Sequence, residues 1–204
     1  MSAILGSLDI DMFNNPRILV GVISGEFIRV KTVQTLLALM KNERRITKLL
    51  IKQGVLVHVN RDNIVLDALK EDFTHLFFVD SDVCFAPDTL DKLLAHDKDI
   101  IAANYNMRIV PQTPTVRMME NGKLVVKDLP KGLFKCYAAG TGCMLIKMEV
   151  FKKLSRPWFH FGAMDENNEG EGEDVFFCRR AQEVGYEVWC DGSLQVGHIG
   201  ETIF

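Results

Sequence analysis

The sequence predicts a single α/β domain with a mostly parallel central sheet, helices on its faces and a small antiparallel hairpin. In the first half of the chain, short apolar segments alternate with segments of helical spacing, as in a parallel sheet covered by helices. In the second half, Asn121-Gly122 lies between two strand candidates, which is a hairpin signal. With 204 residues, the chain is long enough for one domain with a substantial core.

The elements of the first half follow from hydrophobic pattern. Buried parallel strands are short, apolar throughout and bounded by polar residues, whereas helices show a period near 3.6. We expect strands at 18–23, 48–51, 75–80 and 100–103, and helices at 30–40, 61–70 and 87–95. In the first helix the apolar residues of one face are expected to be Val33, Leu36, Leu37 and Met40.

The second half has shorter elements. The hairpin flanks are 113–117 and 123–126, and residues 137–146 are typical of two strands separated by a glycine break. The remaining expected elements are a helix from Val150, a flexible loop at 162–172, a helix at 173–184 and strands at 186–190 and 194–196. Residues 1–15 are expected to form a loose N-terminal arm, and residues 16–204 one domain.

Composition excludes several classes of protein. An apolar share of 48% and a charged share of 25% are ordinary for a globular chain, and a net charge of −3 argues against sequence-independent nucleic-acid binding. The five cysteines include no Cys-x-x-Cys pair, which is typical of reduced thiols in a cytosol-like compartment. No secretory signal and no transmembrane segment are evident, so we expect a cytoplasmic protein.

Asp80 and Asp82 are the most informative residues. Asp-x-Asp occurs three times, but Asp9/Asp11 falls in the arm and Asp97/Asp99 in an expected solvated turn. Only Asp80/Asp82 follows a strongly apolar strand directly. Ligands of open α/β sheets bind at the carboxyl ends of strands, and paired carboxylates suit a divalent cation and its phosphates. The alternative is a polar loop at a strand end.

Two further features suggest chemistry. Gly172-Glu173-Asp174 begins a helix after an acidic loop that contains Asp165, Glu166, Glu169 and Glu171. Acids at a helix N-terminus are also commonplace caps. His198 lies between two glycines after the last strand candidate, where its imidazole could approach a metal or ligand. A histidine with two aspartates suits Mn²⁺ as well as Mg²⁺, although a surface histidine is an equal alternative.

Taken in order, these segments resemble a known family. The motifs are Asp80-Ser81-Asp82, the segment 139–146 (AGTGCMLI), the segment 172–181 (GEDVFFCRRA), the segment 185–189 (GYEVW) and Gly197-His198-Ile199-Gly200. The chain resembles a GT-A glycosyltransferase of the family 2 type, in a small version of the kind that phages encode. The resemblance covers residues 18–200 and implies a Rossmann-like, nucleotide-sugar-binding fold.

The resemblance also implies roles for individual residues. Asp80 and Asp82 would bind a divalent ion, Mn²⁺ or Mg²⁺, with His198 completing its coordination. Asp174 would be the general base of an inverting enzyme, with Glu173 as the second choice. The residues implied to face the donor nucleotide or its sugar are Ser24, Arg61, Asn63, Ser81, Tyr105, Gly140, Thr141 and Gly142.

The implied function is metal-dependent, inverting transfer of a sugar from a UDP-sugar, such as UDP-glucose, to a carbohydrate or other hydroxyl acceptor. We expect the acceptor site to come from residues 105–135 and 158–172, or from a second subunit of a homo-oligomer. A phage-encoded version would act in the host cytoplasm. A retaining transferase, a nucleotidyltransferase and a non-catalytic nucleotide-sugar-binding module are the alternatives. The nucleotidyltransferase is disfavoured because no Gly-rich triphosphate loop follows the first strand.

Overall fold

The computed structural model describes residues 16–162 and 170–200. The expected arm at 1–15 and the loop acids Asp165, Glu166 and Glu169 lie outside the described residues. The strands are β1 Ile18–Ser24, β2 Ile46–Gln53, β3 His75–Asp80, β4 Val83–Phe85, β5 Ile100–Ala103, β6 Met118–Glu120, β7 Lys123–Val125, β8 Leu133–Cys136, β9 Cys143–Lys147, β10 Val188–Asp191 and β11 Val196–His198. The helices are α1 Val30–Asn42, α2 Val57–Ala68, α3 Thr89–Ala95, α4 Met148–Lys153 and α5 Glu173–Glu183.

A seven-stranded sheet in the order β2-β1-β3-β9-β5-β10-β8 forms the centre of the fold. β1 pairs in parallel with β2 and β3, and β5 pairs in parallel with β10. β9 and β8 run antiparallel to their neighbours. Most strands therefore share one direction, and their carboxyl ends meet at one edge. Two small antiparallel sheets, β11-β4 and β6-β7, complete the mixed α/β architecture that the sequence predicts.

Both faces of the central sheet are covered, which explains the continuously apolar strands. In β3, Leu76 and Phe78 belong to one hydrophobic core, whereas Phe77 and Val79 belong to the other. Alternate residues of a strand point to opposite faces, so a strand buried on both sides has no polar position. Residues of α2, α4 and α5 pack in the first core, and residues of α1 and α3 in the second.

The structure corrects the expected face of α1. The residues that α1 buries are Thr32, Thr35, Leu36 and Leu39. Of the four residues expected on one apolar face, only Leu36 is buried, and Val33, Leu37 and Met40 are exposed. Each buried position lies one residue before an expected one, so the helix is rotated by about one position from the predicted face.

Two expectations from the sequence concern the cysteines and the absence of membrane-spanning segments. All five cysteines are free thiols, and Cys84 alone among them is partly exposed. Over the described ranges, the helices are too short or too polar for any of them to cross a membrane.

Candidate active site

The Asp80-Ser81-Asp82 turn lies at the carboxyl end of β3, near the middle of the sheet. Asp80 is the last residue of β3 and lies opposite Ile23 of β1. β4 follows the turn and pairs with β11, so that Val83 lies opposite His198. The small β11-β4 sheet therefore brings a histidine from a distant part of the sequence beside the acidic turn.

Asp80 is paired with a buried arginine. Nη2 of Arg61 donates to Oδ1 of Asp80 at 3.0 Å, and Nε of Arg61 lies 3.6 Å from Oε1 of Glu173. Burial raises the pKa of Asp80, although the charge of Arg61 opposes this rise. Arg61 is 2% exposed, yet its Nε and Nη1 have no hydrogen-bond partner among the described residues. Because buried donors are normally satisfied, these groups suit a polar ligand.

Asp82 contacts other partners. Nη1 of Arg108 lies 3.1 Å from its Oδ2, and Nε2 of His198 lies 3.4 Å from its Oδ1. Nδ1 of His198 is 2.8 Å from the carbonyl oxygen of Asn106, which can only accept, so Nδ1 carries a hydrogen. When the ring is protonated, Nε2 donates a hydrogen bond to Asp82, and this bond raises the pKa of His198, whereas burial opposes the rise. In the neutral ring, Nε2 carries a lone pair instead, which faces Asp82.

The metal donors of this edge do not form one cluster. Within residues 16–162 and 170–200, no group of three or more His, Cys, Asp or Glu side chains is placed to hold a metal ion. Asp82 and His198 contact each other, whereas Asp80 is engaged by Arg61. A carboxylate with an imidazole lone pair fits a borderline cation such as Mn²⁺. The protein therefore offers a cation two ligands, Asp82 and His198. Further oxygen ligands would have to come from a substrate or water.

Tyr105 and the glycines of the 140–142 segment lie behind Asp80. N of Gly142 donates to Oη of Tyr105 at 3.0 Å, and this hydroxyl lies 3.5 Å from Oδ2 of Asp80. A Cβ at Gly142 would lie 2.5 Å from Oη of Tyr105, and one at Gly140 would lie 2.6 Å from it. Burial, and then the charge of Asp80, raises the pKa of Tyr105, so its hydroxyl stays neutral. Thr141 is fully buried, with no hydrogen-bond partner for Oγ1 in the described chain.

A cavity of about 520 Å³, the Asp80 cavity, opens at this edge. Its lining residues are Ile23, Ser24, Gly25, Gly54, Val55, Val57, Asn60, Arg61, Asp80, Ser81, Asp82, Arg108, Glu173 and His198. It therefore unites residues that the sequence singled out at five separate places. Tyr105 and the segment 140–142 are not among its lining residues, although Tyr105 contacts Asp80.

Some members of this cavity differ from those expected. Asn63 does not line it, but Asn60 does, and Nδ2 of Asn60 donates to O of Gly54 at 3.1 Å. The sequence pattern missed Asn60 because α2 begins at Val57, before the expected start of the helix. Arg108 was also missed, and no local pattern marks it, because its approach to Asp82 depends on the path of the chain after β5.

Glu173 and Asp174 form the first turn of α5, after Gly172 at its N-cap. Glu173 is directed towards Arg61 in the Asp80 cavity. Burial, and then the neighbouring charge of Glu173, raises the pKa of Asp174 to about 7. A carboxylate with a pKa near neutrality can accept and release a proton at physiological pH.

A second cavity of about 560 Å³, the Arg117 cavity, lies on the other side of Glu173. Its lining residues are Met107, Thr115, Arg117, Leu124, Tyr137, Ala138, Ala139, Gly170, Glu171, Gly172, Glu173, Asp174 and Val175. Glu173 lines both cavities, and Asp174 lines the second. Two ligands bound in the two cavities would meet at these carboxylates.

Comparison with known proteins identifies the fold, but it does not assign the chain to a protein family. No protein-family model matches the chain, and no curated protein matches its sequence. Among solved structures, A197 from STIV is similar with a TM-score of 0.67 and 22% identity, over 91% of this chain and 86% of that one.

Two other solved structures are similar at lower identity. GalNAc-T7, determined with UDP, GalNAc and Mn²⁺, has a TM-score of 0.61 and 13% identity over 92% of this chain, and the match spans 44% of GalNAc-T7. The inositol-1-phosphate CTP transferase from T. maritima has a TM-score of 0.52 and 14% identity, over 91% and 89% of the two chains. The fold is therefore a GT-A-like, Rossmann-type α/β fold, as predicted.

Proposed function

We propose that the protein transfers a sugar from a UDP-sugar to a hydroxyl acceptor, with inversion at the anomeric carbon. The observation that carries this proposal is the meeting of two cavities at Glu173, beside an aspartate whose pKa is raised to about 7. The Asp80 cavity would hold the donor and the Arg117 cavity the acceptor. The fold likeness to GalNAc-T7, which was determined with UDP, GalNAc and Mn²⁺, supports a UDP-sugar as the donor.

In this mechanism Asp174 acts as general base. The acceptor hydroxyl oxygen attacks the anomeric carbon, Asp174 takes the hydroxyl proton, and the bond from that carbon to the diphosphate oxygen breaks. The electron pair of the broken bond leaves with the diphosphate. Proton transfer to a positioned carboxylate in the transition state typically contributes 10²–10⁴-fold in rate. A single displacement needs no covalent nucleophile on the protein.

The leaving diphosphate gains negative charge, and the Asp80 cavity contains cations to stabilise it. The guanidinium of Arg108 lies beside Asp82, and Arg61 has two buried donors without a partner among the described residues. Stabilisation of developing negative charge by fixed positive groups is often the largest single contribution to the rate enhancement of an enzyme. A divalent cation, which Asp82 and His198 would hold, supplies further positive charge to this leaving group when bound.

The test is release of UDP from UDP-glucose and UDP-GalNAc in the presence of Mn²⁺, with the anomeric product followed by NMR. We expect Asp82→Ala to lower turnover at least ~10²-fold, because charge stabilisation of the leaving group is lost. Asp97→Ala is the matched control, since it alters another Asp-x-Asp pair that lies on an exposed turn. Absence of UDP binding in calorimetry, with and without Mn²⁺, would overturn the proposal.

Three other outcomes would assign the alternatives. An axial product from an axial donor would assign a retaining transferase. Release of pyrophosphate from a nucleoside triphosphate would assign a nucleotidyltransferase, a class favoured only by the fold likeness to the CTP transferase. Tight donor binding with no turnover, even by water, would assign a binding module.

A further inference from the structure

Arg117 is held firmly at the wall of the Arg117 cavity. Its backbone N donates to O of Ala138 at 2.8 Å, and its O accepts from N of Tyr137 at 2.9 Å. Its Nη1 donates to O of Pro114 at 2.8 Å and to O of Val116 at 3.1 Å. Backbone and side chain are therefore both anchored, and the guanidinium has a defined orientation.

The partners that fix this guanidinium are uncharged. Besides the two carbonyl groups, Nη2 lies 3.7 Å from Sδ of Met107. Among the described residues, no carboxylate forms an ion pair with Arg117. Burial lowers the pKa of Arg117, and the charge of Asp174 opposes this only in part. A half-buried cation with no direct counter-ion gains much from an anionic ligand.

Three acids line the same cavity: Glu171 and Glu173 contact other arginines, and Asp174 is the proposed general base. Glu171 accepts two hydrogen bonds from Arg179, at 2.8 Å to Nε and 3.0 Å to Nη2. Glu173 is directed towards Arg61. Arg117 is also the sole Lys or Arg among the described residues that line this cavity. The cavity thus offers one fixed cation to an incoming ligand.

We propose that Arg117 binds an anionic group of the acceptor, a carboxylate or a phosphate or sulfate ester on a carbohydrate. This inference rests on the proposed function, because it assigns the acceptor to the Arg117 cavity. The planar guanidinium matches such oxyanions geometrically. The apolar side chains of Met107 and Leu124 and the ring of Tyr137 line the same cavity and offer surfaces for the faces of a sugar ring.

The test uses a matched pair of probes, p-nitrophenyl β-D-glucoside and p-nitrophenyl β-D-glucuronide. They differ only in that the glucuronide has a carboxylate in place of the hydroxymethyl group. Each is titrated into the UDP-bound protein and followed by ligand-observed NMR. We expect the glucuronide to bind about 10-fold more tightly, as for one charge-assisted hydrogen-bonded contact. Arg117→Gln should remove this preference, and Arg117→Lys should keep part of it.

Lys123→Gln is the control, because Lys123 is an exposed cation on the neighbouring hairpin that does not line the cavity. It should leave the preference unchanged. Equal binding of the two probes, binding of neither, or a preference that survives Arg117→Gln would overturn the inference. A structural role alone would lower the Tm of Arg117→Gln and weaken both probes equally. UDP binding in the native protein separates these outcomes from failure of the proposed function, in which UDP does not bind.

Discussion

Asp174 and Glu173 are neighbours in the first turn of α5, yet they face different surroundings. Glu173 lies within 3.6 Å of the guanidinium of Arg61, whereas Asp174 faces the Arg117 cavity. Burial raises the pKa of Asp174 most, followed by the charge of Glu173 and a hydrogen bond with the Glu173 side chain. Glu173 is thus paired with Arg61, whereas the protonation state of Asp174 changes near neutral pH.

This difference predicts the pH dependence of activity. A general base acts when it is deprotonated, and the pKa of Asp174 is about 7. We expect kcat/KM for sugar transfer to rise with pH through this value, so that the value at pH 6 is roughly a tenth of the plateau. Initial rates measured from pH 5.5 to 9 at constant ionic strength provide the measurement.

Asp174→Asn is the accompanying variant. It keeps the size of the side chain and removes the proton acceptor, so we expect transfer to fall by about 10²–10⁴-fold and the remaining rate to lose its pH dependence near 7. If the variant kept both the rate and the inflection of the native protein, another group would be the base.

At the scale of elements, α1 shows that hydrophobic spacing alone does not choose the buried face. Leu39 is 0% exposed and Leu37 is 64% exposed, although the two residues have the same side chain and lie in the same helix. Thr32 and Thr35 are buried beside Leu36 and Leu39. The sheet beneath the helix, and not the helix itself, determines which face is covered.

The two leucines of α1 offer a matched test. Leu39→Ala should lower the free energy of unfolding by about 2–5 kcal/mol, because it removes buried methyl groups and leaves a cavity. Leu37→Ala should change it by no more than about 0.5 kcal/mol, since its side chain is largely solvated. Urea denaturation of both variants gives the measurement. Equal losses would mean that Leu37 is covered in solution.

For the whole molecule, the contact between Arg61 and Asp80 joins α2 to strand β3 of the central sheet. The side chain of Arg61 also lies over the ring of Phe78, with its Cζ 5.5 Å from the ring centroid. Taking a buried pair apart is costly when one charge remains without its partner, whereas removing both charges is often tolerated.

This contact predicts a strongly non-additive pair of variants. Arg61→Met should cost about 3–5 kcal/mol of unfolding free energy at pH 8, because Asp80 then lacks its cation. Adding Asp80→Asn should recover most of that loss. Lys152→Met is the control, since it breaks an exposed ion pair with Glu149 and should cost under about 1 kcal/mol. Additive losses in the double variant would contradict this account of the pair.

Much of this fold can be predicted from the sequence because the local pattern of apolar and polar residues reflects burial. The strands β1, β3 and β5 are recognisable since both of their faces are covered, which leaves no polar positions between their ends. The hairpin turn at Asn121-Gly122 is also where the pattern predicts it, but its first strand is β6, Met118–Glu120, and not the expected flank 113–117. The ends of helices and strands are predicted less accurately, as the early start of α2 shows. The first turn of a helix is too short to display a clear apolar periodicity.

The α/β class, the position of Asp80-Ser81-Asp82 at a strand end and the acidic start of α5 can be predicted from the chain, because they depend on residues close together in it. The groups that meet at that edge are known only from the folded molecule. Folding pairs Asp80 with Arg61, brings His198 and Arg108 to Asp82, and places Arg117 in the cavity beside Asp174. Such contacts join distant segments through strand order and loop paths, which no local periodicity encodes.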